Sequence, residues 1–383
     1  MGDSVLFLAP AIRSGAGGVA DYCRRLSDAL VGKGFECHLA SWSEREADLP
    51  QSASGAVRTL FLEQEGGSTI AAKAERLREY IEQHRIVWVS LQFVNFGFAN
   101  RGLIFGLGNT LSHALRGKRV HLFLHELWVR DHAGRDFRKR LLGAVQRRQL
   151  LHLVATLRPE QVWTSIDYYA RQLARVGIQA AVVPIFGNIS ISDARADDLI
   201  LQRLDPLPTG HQREKYFFVG LFGTIDSSWP HRRVIPQIVQ IAGARKVVFV
   251  LFGRNGDTQA FADYVKSLAS ADLISLGPLD ETVVDQVMNS MDVALATTPA
   301  EGTFKSGSAV AFLERGVPTV ACWHGLDKDG ATMTQRHPSL VLADECLERN
   351  FRAAATARQL APLLPSVAEA YAELFKSAPP SDR

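Results

Sequence analysis

The sequence predicts an α/β protein built from two doubly wound domains, each a mostly parallel sheet wrapped by helices. Three observations carry this. Short apolar runs alternate with amphipathic helical patterns through the first half of the chain. The alternation breaks over Ser190–Glu214 and then resumes. The length, 383 residues, suits two or three domains better than one.

In chain order, the apolar run Val5–Ala9 leads into a loop with Gly15, Gly17 and Gly18, then a helix carrying Tyr22, Leu26 and Leu30 that stops at Gly32 and Gly34. Further strands are predicted at Glu36–Trp42, Ala56–Leu62, Val87–Phe93, Val120–Leu124, Gln161–Ser165 and Ala180–Pro184. Helices are predicted between most of them, at 69–84, 103–116, 134–157 and 167–176. Strands separated by helices imply βαβ units and hence a parallel sheet. Asp193, Asp197, Asp198, Pro206, Pro208 and Gly210 make 189–214 read as a linker between domains at 1–188 and 215–346. The second domain shows strands at Tyr216–Phe222, Lys246–Phe252, Leu273–Ser275, Val293–Ala296 and Thr319–Ala321, with helices at 258–269, 280–290 and 308–315. The C-terminal residues 347–383 are expected to be helical, kinked at Pro362 and Pro365, and able to cross back to the first domain. Two such domains would face each other across a cleft, with ligands outside the carboxyl ends of the strands.

Hydrophobic residues at 46% and charged residues at 22% exclude a disordered, fibrous or collagen-like chain. Cys23, Cys37, Cys322 and Cys346 form no C-x-x-C pair and are too few for a disulfide framework, which points to a reducing cytoplasm. The apolar run at Val5 is too short for a signal sequence, and no stretch approaches the ~20 apolar residues that span a bilayer. A net charge of +3 does not call for nucleic acid, but it is a cancellation of +7 over 1–188 and −4 over 189–383. Arg130–Arg158 supplies most of the excess, with Arg130, Arg135, Arg138, Lys139, Arg140, Arg147, Arg148 and Arg158 against Asp131 and Asp136. With Leu141, Leu142, Val145, Leu150, Leu151 and Leu153 this stretch fits a basic amphipathic helix on an anionic membrane surface, and equally a solvated helix face.

Three loops carry candidate chemistry. Gly15-Ala16-Gly17-Gly18-Val19-Ala20 formally satisfies the dinucleotide fingerprint, with Glu44 near the position of a ribose-binding acid, but Pro10–Ser14 intervene after the strand and lengthen the loop. The plainer reading is a turn that lets the helix pack closely. Lys305-Ser306-Gly307-Ser308 opens a helix after a strand and offers N–H groups, hydroxyls and a lysine to a pyrophosphate, against the plainer reading of a capping serine. It is not a Walker A loop, because Ala300 stands where that motif has a glycine. His125-Glu126 lies at a strand's carboxyl end, where an acid/base pair would meet a ligand, although a lone histidine is commonly structural. The run Gln92–Phe98 suits either an acceptor pocket or packing under a loop. Gly223-Thr224 and Gly253-Arg254 end further strands, and Arg254, Arg232 and Arg233 are phosphate partners or solvated surface residues.

With these residues assembled, the chain resembles the large retaining glycosyltransferase family of the GT-B fold, glycosyltransferase family 4-like or group 1, which has two Rossmann-like domains. Gly17-Gly18-Val19-Ala20 looks like the family's glycine loop, His125 stands where relatives place a histidine near the donor sugar, and Val183-Pro184-Ile185 with Asn188 resembles the hinge. Gly223-Thr224 is similar to the start of the donor domain, Gly277-Pro278-Leu279 to the segment that reads the base, and Gly316-Val317-Pro318-Thr319-Val320 to the family's Gly-x-Pro strand start. The family's paired glutamates, eight positions apart, are replaced by Thr303 and Ala311, with Glu301 and Glu314 out of register and Lys305–Ser308 occupying the region.

The resemblance implies an acceptor-side first domain, a donor-binding second domain and transfer of a sugar from a nucleotide-sugar, with retention, to a saccharide, glycolipid or lipid-linked acceptor. The nucleotide-sugar is a substrate and neither cofactor nor metal is expected. The loops above and the resemblance together place Gly223, Thr224, Arg254, Leu279, Glu301, Lys305, Ser306, Gly307 and Ser308 at the donor, with Lys305, Arg254 and Arg232 as substitutes for the family's usual Arg and Lys, His125 and Glu126 as the catalytic pair, and Gly15, Gly17 and Gly18 in the loop. A nucleotide-sugar epimerase of similar architecture and a catalytically silent binding subunit are the alternatives. The location expected is cytoplasmic, with a peripheral place on the inner membrane face left open.

Overall fold

Two all-parallel sheets organise the chain. The structure, a computed structural model, describes residues 4–13, 15–46, 57–129, 136–204, 212–226, 228–322, 337–357 and 359–377. It divides into one unit of Met1–Pro184 with Leu364–Arg383 and a second of Ile185–Leu363.

The first unit runs β1 (Ser4–Ala9), α1 (Gly18–Val31), β2 (Glu36–Ser41), β3 (Arg58–Phe61), α2 (Ile70–Gln83), β4 (Trp88–Phe93), α3 (Asn95–Phe98), α4 (Leu107–Ala114), β5 (Arg119–Leu124), α5 (Phe137–Leu157), β6 (Gln161–Thr164), α6 (Asp167–Ala174) and β7 (Ala181–Val182). Its strand order is β3-β2-β1-β4-β5-β6-β7, so β1 pairs in parallel with β2 on one side and β4 on the other. β1 and β4 are buried along their whole lengths, as strands covered on both faces by helices must be.

The second unit runs α7 (Asp197–Leu201), β8 (Tyr216–Phe222), α8 (His231–Ala242), β9 (Lys246–Phe252), α9 (Gln259–Lys266), β10 (Ala271–Gly277), α10 (Glu281–Ser290), β11 (Val293–Ala296), α11 (Gly307–Glu314), β12 (Thr319–Ala321), β13 (Leu340–Leu342) and α12 (Leu347–Thr356). Its order, β10-β9-β8-β11-β12-β13, repeats the same reversal beside the first strand. Alternate residues of β8 serve the two faces: Phe217, Val219 and Leu221 join one apolar core, and Phe218 joins the other.

The last helix, α13 (Leu364–Lys376), belongs to the first unit. Tyr371 and Phe375 are fully buried, with the Phe375 ring 6.1 Å from that of Phe7 and 5.3 Å from that of Trp88. Trp88 Nε1 donates to the Phe375 carbonyl at 3.0 Å, so the indole is both packed and satisfied.

Four sequence expectations are corrected. The stretch 347–376 is not one kinked helix: α12 ends at Thr356, Pro362 lies in the connection, and α13, with Pro365 in its first turn where no N–H is needed, falls in the other unit. Residues 189–204 of the expected linker are fastened to the second unit. Ile200, Leu201 and Leu204 enter its core, Asn289 Nδ2 donates to the Ser192 and Ala194 carbonyls at 2.7 and 2.9 Å, and Arg315, ion-paired to buried Asp285, reaches the Ser190 carbonyl at 2.6 Å. The unit boundary correspondingly falls at 184/185 rather than 188/189. A helix, α8, lies where none was predicted; Pro236 inside it and Pro230 before it mask the apolar face of Val234, Ile235, Ile238 and Ala242. The three-residue strand β13 was likewise missed.

Phe375→Ala removes a buried ring that completes the first unit. It is expected to lower that unit's unfolding free energy by about 3–5 kcal/mol, measured as a fall in the urea midpoint; an unchanged midpoint would contradict this packing.

Candidate functional site

In the second unit the loops after β8, β9, β10 and β11 share one sheet edge. Gly223 N donates to the Phe252 carbonyl at 3.1 Å, Gly253 N to the Gly277 carbonyl at 2.8 Å and Asn255 Nδ2 to the Gly223 carbonyl at 3.0 Å, which stitches the loops together. After β11 a 3₁₀ turn, Ala300–Lys305, delivers the chain to α11. Ser306 caps that helix in extended conformation, its hydroxyl accepting from Ala309 N at 3.4 Å. The capping reading of Ser306 is therefore correct, but the cap leaves the first two helical N–H groups, of Gly307 and Ser308, without an acceptor among the described residues.

Two glycines bring other backbone to this point. Gly223 has φ +77°, and a Cβ there would lie 2.8 Å from Ser308 Oγ, so only glycine lets the β8 loop pass α11's first turn. A Cβ on Gly307 would lie 3.4 Å from Asn188 Oδ1, a buried oxygen with no hydrogen-bond partner among the described residues. Lys305 is half-buried and Glu301 buried in the 3₁₀ turn, Leu279 packs half-buried after β10, and Thr224 and Arg254 are exposed. Arg232 and Arg233 are exposed on α8, where Arg232 lies 4.8 Å over the Tyr264 ring. The structure thus brings Gly223 against Ser308 and Asn188 against Gly307, and gives Arg232 an aromatic partner of its own. Glu314, at the far end of α11, is 2% exposed and accepts from Gly187 N at 2.9 Å and Leu363 N at 2.8 Å, so its carboxylate anchors backbone near both ends of the second unit.

The first unit presents its own set of loops after β1, β2, β4 and β5. Gly15, Gly17 and Gly18 are exposed, and a Cβ at any of them would meet nothing within 4 Å. The glycines therefore do not serve close helix packing; Gly15, at φ +71°, serves the turn, and its N–H donates to Asp21 Oδ1 at 2.9 Å. Glu44 is buried beneath the loop. Its carboxylate accepts from Ile12 N at 2.6 Å, Arg13 N at 3.2 Å, Arg13 Nε at 2.7 Å and Ser41 Oγ at 3.2 Å. A carboxylate so occupied is not the ribose acid of a dinucleotide site.

His125 is buried at the end of β5, its ring 5.2 Å from Tyr22 and 4.4 Å from Phe123, with Nε2 2.8 Å from Gln92 Oε1. Burial pushes its pKa down to about 3, so the ring is neutral at physiological pH and suits hydrogen bonding better than proton transfer. Glu126 is half-buried beside it. Of the run after β4, Phe93 and Phe98 stack at 5.5 Å and pack inward, while Phe96 is 52% exposed. Among the described residues no group of three His, Cys, Asp or Glu side chains is placed to hold a metal ion. Sequence reasoning missed Tyr371, which supplies a buried hydroxyl behind His125 from 246 residues further along the chain.

Two outcomes follow from the first unit's geometry. Glu44→Ala is expected to speed hydrogen exchange at Ile12 and Arg13 by tenfold or more, since a hydrogen bond to a charged group contributes about 1.5–3 kcal/mol; unchanged protection would contradict the anchoring role. His121, like His125, is held by burial at about 3 against an ordinary 6.5. Between these values the unfolded chain binds more protons, so stability is full above about pH 6.5 and falls as pH drops toward 3, by at most about 1.4 kcal/mol per unit for each ring. His125→Gln is expected to reduce the acid shift in urea midpoint between pH 7.5 and 4.5; an equal shift would contradict it.

No protein-family model matches the chain, and no curated protein matches it. Solved structures do match. Anabaena Alr3699/HepE in complex with UDP and glucose is 16% identical, with 98% of this chain and 99% of that chain covered at a TM-score of 0.58. The catalytic domain of starch synthase IV from Arabidopsis thaliana, bound to ADP and acarbose, is 12% identical over 98% and 99% of the two chains, also at 0.58. UDP-GlcNAc 2-epimerase from Neisseria meningitidis, bound to UDP-GlcNAc, is 11% identical over 98% and 100%, at 0.53. At these identities the likeness establishes architecture, and with the two parallel sheets above it identifies the fold of this chain as GT-B.

Proposed function

We propose that this protein transfers a glycosyl group, with retention and without a metal, from a nucleotide-sugar to a saccharide or lipid-linked acceptor. One observation carries the reading: the N–H groups of Gly307 and Ser308 at the start of α11, which have no acceptor among the described residues, are flanked by Lys305 and approached by Gly223. A leaving nucleoside diphosphate gathers negative charge as the glycosidic bond breaks, and a helix N-terminus with a neighbouring lysine stabilises that charge. Leu279 and the Gly223 loop would line the nucleotide, and His125 would accept a hydrogen bond from a sugar hydroxyl. Solved structures of the same fold hold UDP or ADP, which supports a nucleotide as the ligand.

The outer face of α5 supports a peripheral membrane position. Phe137 and Leu141 are 72% and 56% exposed, Arg138, Lys139, Arg140, Arg147 and Arg148 are exposed around them, and no acidic residue lies within the helix. Apolar tips flanked by cations fit an anionic bilayer surface. Arg130, Asp131 and Arg135 lie outside the described residues, and no helix among the described residues is long and apolar enough to cross a membrane.

Calorimetry with UDP-, GDP- and ADP-sugars is expected to find one tight donor, with Lys305→Ala weakening it by about 10–100-fold, the worth of a charge-assisted hydrogen bond; equal affinity in the variant would contradict the site. Donor conversion without an acceptor would favour an epimerase, and binding without turnover on a broad acceptor panel a silent subunit. Flotation with anionic but not neutral vesicles, abolished in Phe137→Asp/Leu141→Asp, is the expected membrane result; absence of lipid-dependent flotation would overturn that part.

A further inference from the structure

Behind His125 lies a row of buried polar groups that the proposed chemistry does not use. Gln92 Oε1 faces His125 Nε2 at 2.8 Å, and Gln92 Nε2 donates to Ser90 Oγ at 2.7 Å and to the Tyr371 hydroxyl at 3.4 Å. Ser90 Oγ lies 2.8 Å from His121 Nδ1, and the Tyr22 hydroxyl donates to that of Tyr371 at 3.3 Å. Ser90, Gln92, His121 and Tyr371 are fully buried. Around Tyr371 the neighbours are rings, those of Phe7, His121, Trp163 and Phe375. Phenylalanine would fill that space as well, and a buried hydroxyl is costly unless bonded, so the Tyr371 oxygen is explained by its bonds to Gln92 and Tyr22.

The row bears on where the His125 proton sits. With the Gln92 amide nitrogen turned to Ser90 and Tyr371, its oxygen faces His125 and only accepts, so in this orientation His125 Nε2 carries the ring proton and Nδ1 is left with a bare lone pair. Ser90 accepts from Gln92, and because a hydroxyl can also accept a second bond, its contact with His121 Nδ1 sets no tautomer for His121. The groups around the His125 ring, Tyr22 from α1, Gln92 and Phe123 from the sheet, and His121 and Tyr371 one layer deeper, are uncharged at neutral pH.

We propose that Gln92, steadied by Tyr371 of the C-terminal helix, is the positioning residue for His125, fixing it as the neutral Nε2–H tautomer and presenting Nδ1 to a ligand. Nδ1 has no protein partner among the described residues. A bare ring nitrogen accepts from a hydroxyl and repels a phosphate oxygen, so His125 recognises a sugar hydroxyl and not a diphosphate. That last step rests on the nucleotide-sugar reading; the tautomer and its dependence on Gln92 do not.

Long-range ¹H–¹⁵N NMR of the full-length protein labelled at histidine tests the proposal, with His125→Gln and His121→Gln spectra for assignment. The expected wild-type result is an Nε2-protonated pattern for His125 that does not titrate between about pH 5.5 and 8. Gln92→Leu is expected to convert it to a tautomer mixture, and Tyr371→Phe, which keeps the ring, to do so in part. An Nδ1-protonated pattern or titration near pH 6.5 in the wild type would overturn the proposal whether or not the variants fold, as would an unchanged pattern in a folded Gln92→Leu. The Nε2–H pattern in a protein that binds no nucleotide-sugar would defeat the proposed function and leave the positioning role standing.

Discussion

Where the strand order of a doubly wound parallel sheet reverses, the connections on the two sides of its first strand run in opposite directions, and this constraint governs both units. β1 sits between β2 and β4, and β8 between β9 and β11, so in each sheet the connections diverge at the carboxyl edge beside the first strand. Backbone at that edge has left the strand ladder and must find other partners. In the second unit it finds them in neighbouring loops, through the bonds linking Gly223, Phe252, Gly253 and Gly277. In the first it finds Glu44, a single carboxylate that holds the Ile12–Arg13 backbone. Several helices start at that edge, and α11 is the one that combines, among the described residues, a neighbouring lysine, two N–H groups without an acceptor and a glycine that admits close approach.

Polar groups are buried at several points where apolar ones would pack as well, and each has a partner that gives it a task. Arg315 and Asp285 tie 189–192 to the second unit, and Glu314 takes the N–H groups of Gly187 and Leu363. Removing one member of such a set leaves its partner desolvated and unpaired, which costs more than the bond itself contributes. The row from His121 through Ser90 and Gln92 to His125 follows the same rule, with Tyr371 making the last helix part of the support for a residue at the sheet edge.

The fold was legible because central parallel strands are continuous apolar runs. Tyr216–Phe222, Lys246–Phe252, Val293–Ala296 and Thr319–Ala321 have the same bounds in sequence and structure. What failed was local chemistry overridden by packing: Pro236 obscured α8, and polar residues in 189–204 concealed Ile200, Leu201 and Leu204 in a core. At the candidate site, strand-end glycines and Lys305–Ser308 were visible as a pattern of residue types. The roles of Glu44, Glu314 and Tyr371 were not, because each is defined by partners far away in the chain that no spacing rule connects. Glu314 is held in place by the backbone N–H groups of Gly187 and Leu363.

The most direct test of the central claim is a crystal structure of the full-length protein with UDP. The account expects diphosphate oxygens within hydrogen-bond distance, about 2.7–3.2 Å, of the Gly307 and Ser308 N–H groups, with Gly223 alongside. A nucleotide seated instead at the Gly15–Gly18 loop, with the start of α11 empty, would contradict it.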